Sequence, residues 1–360
     1  MITLLNILTS RRSAHFTIPR TGPKVSILVP ARNEVDIIAK SLHSLIAQNY
    51  PNLDIWILDD QSTDGTGELA RSFSRLNDRV KVISGVPVPP GWIGKHWACH
   101  QLSQAADGDL LLFTDADTWF NPSTVSKAVD SMLSSDSDLV SFVPSRETSS
   151  ILQKLTLPFV DWFALGCFPL TLARKLRIPK VSMAFGQFML FKRESYEKIG
   201  GHESIKSKIV DDMELGRRIK VFRLRLDLLD GTNDIRCHMY RNNASLIDGF
   251  ARNIFPSLGS NTLRLTAVWP LMAAIGVAPA TMLIVRGLGS SMGGLPIMPS
   301  VIALILMTMS WFLTLKRTPH SAWLSLLHPI ITSMILALSI ISFAKVKNGS
   351  IDWKGRNILK

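Results

Sequence analysis

Short apolar runs alternate with segments of helical period from residue 24 to about residue 250. KVSILVP (24–30) is an apolar run closed by Pro30, and the segment after it sets Ile37, Ile38, Leu42, Leu45 and Ile46 at helical spacing. A second strand over 54–58 closes on Asp59 and Asp60. The loop 61–67 then leads into the helical ELARSFSRL, with Asp64 the expected cap. VKVIS reads as a third strand, VPVPPGWIGKHWACHQ as a Pro-rich loop that becomes a helix, and LLLFTDAD as a fourth strand. Further on, SFVPS (141–145) is a strand. GQFMLFKRESYEKIGGH is a strand followed by a helix from about Arg193 with a stop at Gly200 and Gly201. IVDDMELGRRIKV starts a helix at Asp211 and Asp212, and LRLDLLDG is a short strand.

Strands alternating with helices predict right-handed crossovers and a doubly wound, mostly parallel α/β sheet. Ligands of such sheets bind outside the carboxyl ends of the strands. Residues 30–34, 59–60 and 115–117 all fall at those ends. Three acidic or polar strand ends on one edge are far more specific than the Asp-x-Asp of Asp115 and Asp117 alone, which is as common in solvated turns.

The pattern changes after residue 250. AVWPLMAAIGVAPATMLIV (267–285), LPIMPSVIALILMTMSWFLTL (295–315) and SAWLSLLHPIITSMILALSIISFA (321–344) are each about long enough to cross a hydrocarbon core as a helix. The expected organisation is therefore an N-terminal segment 1–23, an α/β domain over 24–250, and a membrane region over 251–360 with three spans and a basic tail. The first segment is too short to span and lacks the form of a secretory signal; it is either interfacial or a frayed end. Residues 151–180, rich in aromatics and carrying Pro158 and Pro169, read equally well as a core helix pair or as an interfacial segment with Lys175 and Arg177 at headgroup level.

Composition narrows the partners. The formal charge is +12, from 40 Lys+Arg against 28 Asp+Glu. With no arginine-rich run interleaved with aromatics, this favours anionic lipid or a phosphorylated substrate over nucleic acid. Cys99, Cys167 and Cys237 form no CxxC pair and read as reduced thiols. Two carboxylates at a strand end suit a hard divalent cation, Mg²⁺ or Mn²⁺, shared with substrate phosphates. His96, His100, His202 and His238 have no ligand spacing and read as packed or surface histidines. Trp92 and Trp97 serve either a sugar ring or the packing of their own loop.

VSILVPARNE, ILDDQSTDGT, GWIGKHWA, FTDAD, GQFMLFKRESYEKIGG and VDDMELGRRI occur in an order that resembles the family 2 glycosyltransferases, with a GT-A (Rossmann-like) fold, over about residues 24–240. PPGWIGKHWA, the C-terminal hydrophobic spans and DWKGR (352–356) look most like the membrane-attached hopene-associated and carotenoid (diaponeurosporenoate-type) members. The resemblance implies that Pro30, Arg32 and Glu34 line a nucleotide-sugar pocket. Asp60 would hydrogen-bond the base, most simply uracil, and Lys95 would approach the nucleotide or its phosphates. Asp115 and Asp117 would hold the metal–diphosphate, and Asp212 would be the catalytic base. Asp211 stands where the family has Glu, so its role is open; Gln187 and Arg241 are further candidates. The Gln-x-x-Arg-Trp motif of the processive synthases is absent, because Arg241 and Arg252 are each followed by Asn.

The implied reaction is metal-dependent, inverting transfer of a single sugar, a hexose, from a nucleotide sugar to a lipid acceptor of isoprenoid type, hopanoid or carotenoid. The dipole at a helix N-terminus is expected to keep Asp212 ionised. Arg252, Arg264, Lys316 and Arg317 agree with an α/β domain on the cytosolic side of a multi-pass protein of the cytoplasmic membrane, whereas the basic tail does not if three spans are complete. His328–Pro329 is a candidate break. Rival readings are a non-catalytic GT-A-like membrane protein, a transferase acting on polyprenyl phosphate or another glycolipid, a nucleotidyltransferase, and a lipid flippase. VPARNE, in place of a Gly-rich phosphate loop, argues against the nucleotidyltransferase; too few spans and intramembrane polar residues argue against the flippase.

Overall fold

The computed structural model describes residues 1–9, 22–176, 178–179, 181–288, 297–354 and 356–357. Arg177, residues 10–21 of the N-terminal segment and the end of the basic tail lie outside them. The chain forms two compact units: a sheet unit, Ser10–Glu147 with Pro169–Met239, and a helical unit, Met1–Thr9 with Thr148–Phe168 and Tyr240–Lys360.

In chain order, helix α1 (Ile2–Thr9) belongs to the helical unit. The sheet unit then runs β1 (Val25–Ala31), α2 (Ile38–Ile46), β2 (Leu53–Asp59), α3 (Thr66–Leu76), β3 (Val80–Ser84), α4 (Gly94–Ala105), β4 (Leu110–Phe113), β5 (Thr118–Phe120), α5 (Thr124–Ser135), β6 (Leu139–Val143) and β7 (Ser145–Arg146). After α6 (Ile151–Asp161) and a π-helical turn at Trp162–Cys167, both in the helical unit, the chain returns to the sheet unit. It does so with α7 (Leu170–Lys175), β8 (Met189–Lys192), α8 (Arg193–Lys198), α9 (Asp211–Val221), β9 (Leu226–Asp230) and β10 (Ile235–Cys237).

Seven strands form the main sheet in the order β3-β2-β1-β4-β8-β6-β9. Strand β8 runs antiparallel to both its neighbours, β4 and β6; every other pair is parallel. Val25, Ile27, Leu28 and Val29 of β1 are fully buried, as expected of a central parallel strand covered on both faces. The Asp-x-Asp lies beyond the fourth strand, which stops at Phe113; Asp115 and Asp117 occupy the turn into β5. Asp64 is not the cap of α3. Gly65, at φ +93°, takes that position, and Asp64 Oδ1 instead accepts from the Thr66 N–H (3.0 Å) and Oγ1 (2.6 Å).

The helical unit continues with α10 (Asn243–Ser257), α11 (Thr262–Gly276), α12 (Ala278–Gly287), α13 (Ile297–Leu315), a 3-10 turn at Ala322–Leu327 and α14 (His328–Lys347). Among the described residues two helices are long and apolar enough to cross a membrane, Ile297–Leu315 and the continuous Ala322–Lys347. The first expected span is broken instead: α11 and α12 meet at a 45° bend and make a third span only if the pair is counted as one. Pro279, in the first turn of α12, lacks the N–H that would continue the helix across the bend. His328 marks the change from 3-10 to α geometry and not a break. Met298, Ile302, Ile305, Leu306 and Met309 of α13 are exposed, an apolar face that belongs in lipid. The length and hydropathy of these helices point to membrane association.

Inside this unit α1 is not frayed. Thr3 Oγ1 donates to the Gly166 carbonyl (2.8 Å), and Asn6 Nδ2 to those of Leu165 (3.0 Å) and Phe168 (2.6 Å), which ties α1 to the π-helical turn. Trp162 of that turn stacks on Trp311 of α13, ring centroids 4.9 Å apart.

Candidate active site

The site is built on the edge of the sheet unit where β1, β2 and β4 deliver their carboxyl ends. At the first two ends the backbone loops are stitched together. The Asn33 N–H donates to Ser62 Oγ (3.0 Å), the Thr63 N–H to Asn33 Oδ1 (2.9 Å) and the Glu34 N–H to Thr66 Oγ1 (2.7 Å). Asn33 (φ 52°) and Gln61 (φ 56°) sit in the left-handed region, a conformation that costs non-glycine residues energy and collects at functional loops. Asp60 is buried, and its N–H donates to the Ala31 carbonyl (2.8 Å). Arg32 Nη1 donates to the Asp60 carbonyl (2.6 Å) and lies 3.9 Å from its carboxylate. Pro30, Arg32 and Glu34 are half-buried around it.

The β4 end is electrostatically different. Lys95, in the first turn of α4, bridges Asp115 Oδ1 (2.8 Å) and Asp211 Oδ2 (3.1 Å). A cation is disfavoured at a helix N-terminus by the dipole, and here two carboxylates compensate for it. Asp211 and Asp212 begin α9, where acids are favoured. Asp115 Oδ2 accepts from Gln187 Nε2 (3.3 Å). Asp212 Oδ2 accepts from the Gly186 N–H (3.1 Å) and Oδ1 from the Met213 N–H (2.7 Å). A Cβ on Gly186 would stand 3.4 Å from Lys95 Nζ and 3.8 Å from both Asp115 Oδ2 and Asp212 Oδ2. Gly186 thus lines the common ground of the cluster. It is the site residue that reading the chain overlooked, since nothing in a GQF tripeptide marks its glycine for a close approach by distant charges.

The charges sort themselves by partner. Burial alone would lower the Lys95 ammonium, but Asp115 and Asp211 outweigh it and hold Lys95 charged well above its ordinary range. Burial alone would raise Asp211, and Lys95 outweighs that, so Asp211 stays ionised far below the usual carboxylate range. Asp212 goes the other way: burial, then the adjacent Asp211 carboxylate, push it up to about 7. The expectation that the helix dipole keeps Asp212 fully ionised fails, because desolvation and a like charge one residue away exceed a terminal dipole. The result is a carboxylate whose proton affinity is matched to neutral pH, the useful setting for a general base.

Asp117 is half-buried one turn residue beyond Ala116. Its carbonyl accepts from the His238 N–H (3.0 Å), and its Oδ1 accepts from Thr118 Oγ1 (3.3 Å). Among the described residues no group of three His, Cys, Asp or Glu side chains forms a metal cage. That donor set fits a Mg²⁺- or Mn²⁺-type ion, which is bound by one or two carboxylates plus substrate phosphates and not by an all-protein cage. Arg241 is exposed at the start of the last stretch of the helical unit.

The histidines pack. His202 is buried with Nδ1 2.7 Å from Tyr196 Oη, and His96 Nδ1 lies 3.3 Å from the Lys206 carbonyl; burial lowers both. Trp92 and Trp97 pack against each other, centroids 5.1 Å apart, and Trp97 Nε1 donates to the Val86 carbonyl (3.1 Å), so they order their own loop.

A mixed sheet of this order, with acids at the β4 turn and at a following helix N-terminus, defines the GT-A class of sugar-transferring domain. The same fold occurs in the mannosyltransferase PcManGT from Pyrobaculum calidifontis, solved in complex with GDP-Man and Mn²⁺. The two chains superpose with a TM-score of 0.58 over 96% of this chain and 94% of that one, at 17% identity. The profile "Glycosyl transferase family 2" matches residues 26–200. The 4,4'-diaponeurosporenoate glycosyltransferase of Staphylococcus aureus (strain USA300) is 26% identical over 339 residues, covering 92% of this chain and 87% of that protein. The family match over residues 26–200 and the likeness to this relative over most of the chain support a family 2 glycosyltransferase.

Proposed function

We propose that the chain transfers one sugar, with inversion, from a nucleoside diphosphate sugar to a lipid acceptor of isoprenoid type, and that Asp212 is the base. The carrying observation is the placement of the Asp212 carboxylate at the start of α9, held by the Gly186 and Met213 N–H groups beside Asp115 and a lysine already engaged by two other acids. Burial and Asp211 raise its proton affinity there. Asp212 takes the proton of the acceptor hydroxyl or carboxyl. The acceptor oxygen bonds to the anomeric carbon while the bond from that carbon to the diphosphate oxygen breaks, and the electron pair leaves with the nucleoside diphosphate. Asp211 is committed to Lys95 and offers no second nucleophilic carboxylate, which supports a single displacement and so inversion.

Pro30, Arg32, Glu34 and Asp60 form the nucleotide pocket in this reading, with Asp60 on a uracil base. Lys95, Asp115 and Asp117 face the diphosphate, with Gln187 in support. A divalent ion held by Asp117 and Asp115 would neutralise charge on the departing diphosphate. Mn²⁺ in the complex of the Pyrobaculum mannosyltransferase supports that choice, and its GDP-Man makes the guanine donor the first alternative to test. Similarity to a carotenoid-acid glycosyltransferase and the apolar helices support a lipid acceptor. Residues 24–250 would act as the transferase domain on the cytosolic side, where nucleotide sugars are made, and 251–360 as the multi-pass anchor. The test is transfer by detergent-purified protein from a panel of UDP- and GDP-sugars to an apolar polyene carboxylic acid and to a polyprenol, with and without EDTA. Transfer only to soluble sugars or proteins would overturn the acceptor assignment.

A further inference from the structure

The sheet unit carries a polar cavity away from the strand-end acids. Its volume is about 310 Å³, and its walls include Ser137, Arg174, Lys175, Lys220, Arg225 and Asp227. Lys220 is 2% exposed, and its Nζ donates to the Ala173 carbonyl (2.7 Å), which ties the end of α9 to α7. Arg225 is paired with Asp136 (3.1 Å) at the rim. The side chains of Arg174 and Lys175 have neither an ion pair nor a hydrogen bond among the described residues. A cavity with two unengaged cations calls for an anion.

The surroundings say which anion. Leu172 (45% exposed), Leu176 (38%) and Ile178 (44%) stand out from α7 and the residues after it, and Val221 (51%) and Phe222 (37%) from the end of α9. Leu172 and Lys175 lie three residues apart on one face of α7, and Leu176 follows them at the end of the helix in extended conformation. Large apolar side chains around a cationic pocket are unfavourable in water, unless they meet a surface that is anionic at headgroup level and apolar beneath. A soluble phosphate would match the pocket and leave the apolar rim exposed.

We propose that this face of the sheet unit docks on anionic phospholipid. Lipid phosphates enter the cavity beside Arg174 and Lys175, and Leu172, Leu176 and Ile178 with Val221 and Phe222 reach the acyl boundary. The anchor helices make a bilayer available to the chain, but this contact is a separate, charge-selective one. It places α9, which begins with Asp211 and Asp212, under the influence of lipid composition through its far end.

The full-length protein is placed in nanodiscs of phosphatidylcholine alone or with about one third phosphatidylglycerol, and hydrogen–deuterium exchange is followed in peptides covering 169–176 and 218–226. Each basic residue near an anionic leaflet strengthens association about fivefold. Exchange in both peptides is therefore expected to slow about fivefold or more with the anionic lipid. Arg174→Gln with Lys175→Gln should abolish the difference and leave exchange in β1 and β4 unchanged, a control for folding. Inorganic phosphate added to phosphatidylcholine discs should change nothing. Equal exchange in the two lipids, protection by free phosphate, or protection that survives the double variant would each overturn the proposal. Exchange is read without turnover, so failure here leaves the sugar-transfer reading untouched.

Discussion

Two neighbouring stretches of one sheet edge handle charge in opposite ways. At the ends of β1 and β2, Arg32 and Asp60 meet through a backbone carbonyl and stand 3.9 Å apart as ions, inside loops knitted by side-chain-to-backbone bonds. Around the β4 turn, Lys95 is clamped at 2.8 and 3.1 Å by Asp115 and Asp211, and the adjacent Asp212 is left to backbone N–H groups. The first stretch is a shape, held by geometry and suited to recognising a flat polar base. The second is a charge balance in which Lys95 pairs with Asp115 and Asp211, while burial and the neighbouring Asp211 charge raise the proton affinity of a third acid, Asp212. Under the proposed function the first stretch serves recognition and the second proton transfer, and the two lie side by side on the sheet edge.

The sharpest way to break this contrast is Asp212→Asn. Loss of a positioned base should reduce transfer about 10²- to 10⁴-fold in steady-state kinetics. Nucleotide affinity, read by calorimetry, should stay within about twofold, because the base is not asked to bind nucleotide.

Lys95→Met tests the other half of the balance. It leaves Asp115 and Asp211 facing each other without a counter-ion. Removing one partner of this partly buried ion-pair network should lower the denaturation midpoint, and transfer should fall about a hundredfold as the diphosphate loses its cation. Gly186→Ala is gentler. Its methyl would sit in ordinary contact range of three charged groups, so the melting temperature should move by no more than about 2 °C, whereas kcat/KM should drop about tenfold as the donor is displaced. The smallest effect belongs to the recognition end: Asp60→Asn should raise the KM for the donor about tenfold, one hydrogen bond's worth, and leave kcat within about twofold.

Much of this frame was legible in the chain. The βα alternation and the acids closing β2 and preceding β5 follow from local periodicity, and the start of α9 at Asp211 follows from the dipole preference for acids. What was not legible is long-range. The insertion of β8 antiparallel between β4 and β6 leaves no mark in MLFK, which is apolar whichever way it runs. The Lys95–Asp211 ion pair joins two helix N-termini far apart in the chain, and neither it, nor the burial that raises Asp212, nor the closeness of Gly186 to the cluster can be deduced from local sequence. The bend between α11 and α12 was hidden by an apolar run whose hydropathy is uninterrupted through Pro279. Hydropathy reports where lipid is tolerated and not where the backbone hydrogen bonds stop.

The central claim is that Asp212 is a base tuned by burial and by Asp211. The direct test is the pH dependence of kcat/KM for transfer, in wild type and in Asp211→Asn. A base must be deprotonated to act, so wild-type activity should rise with pH along a limb centred at about 7. Removing the Asp211 charge lifts the repulsion and frees Lys95 to favour the ionised form, so the limb should move to lower pH. A limb in the ordinary carboxylate range in the wild type, or one that stays in place in Asp211→Asn, would contradict the account.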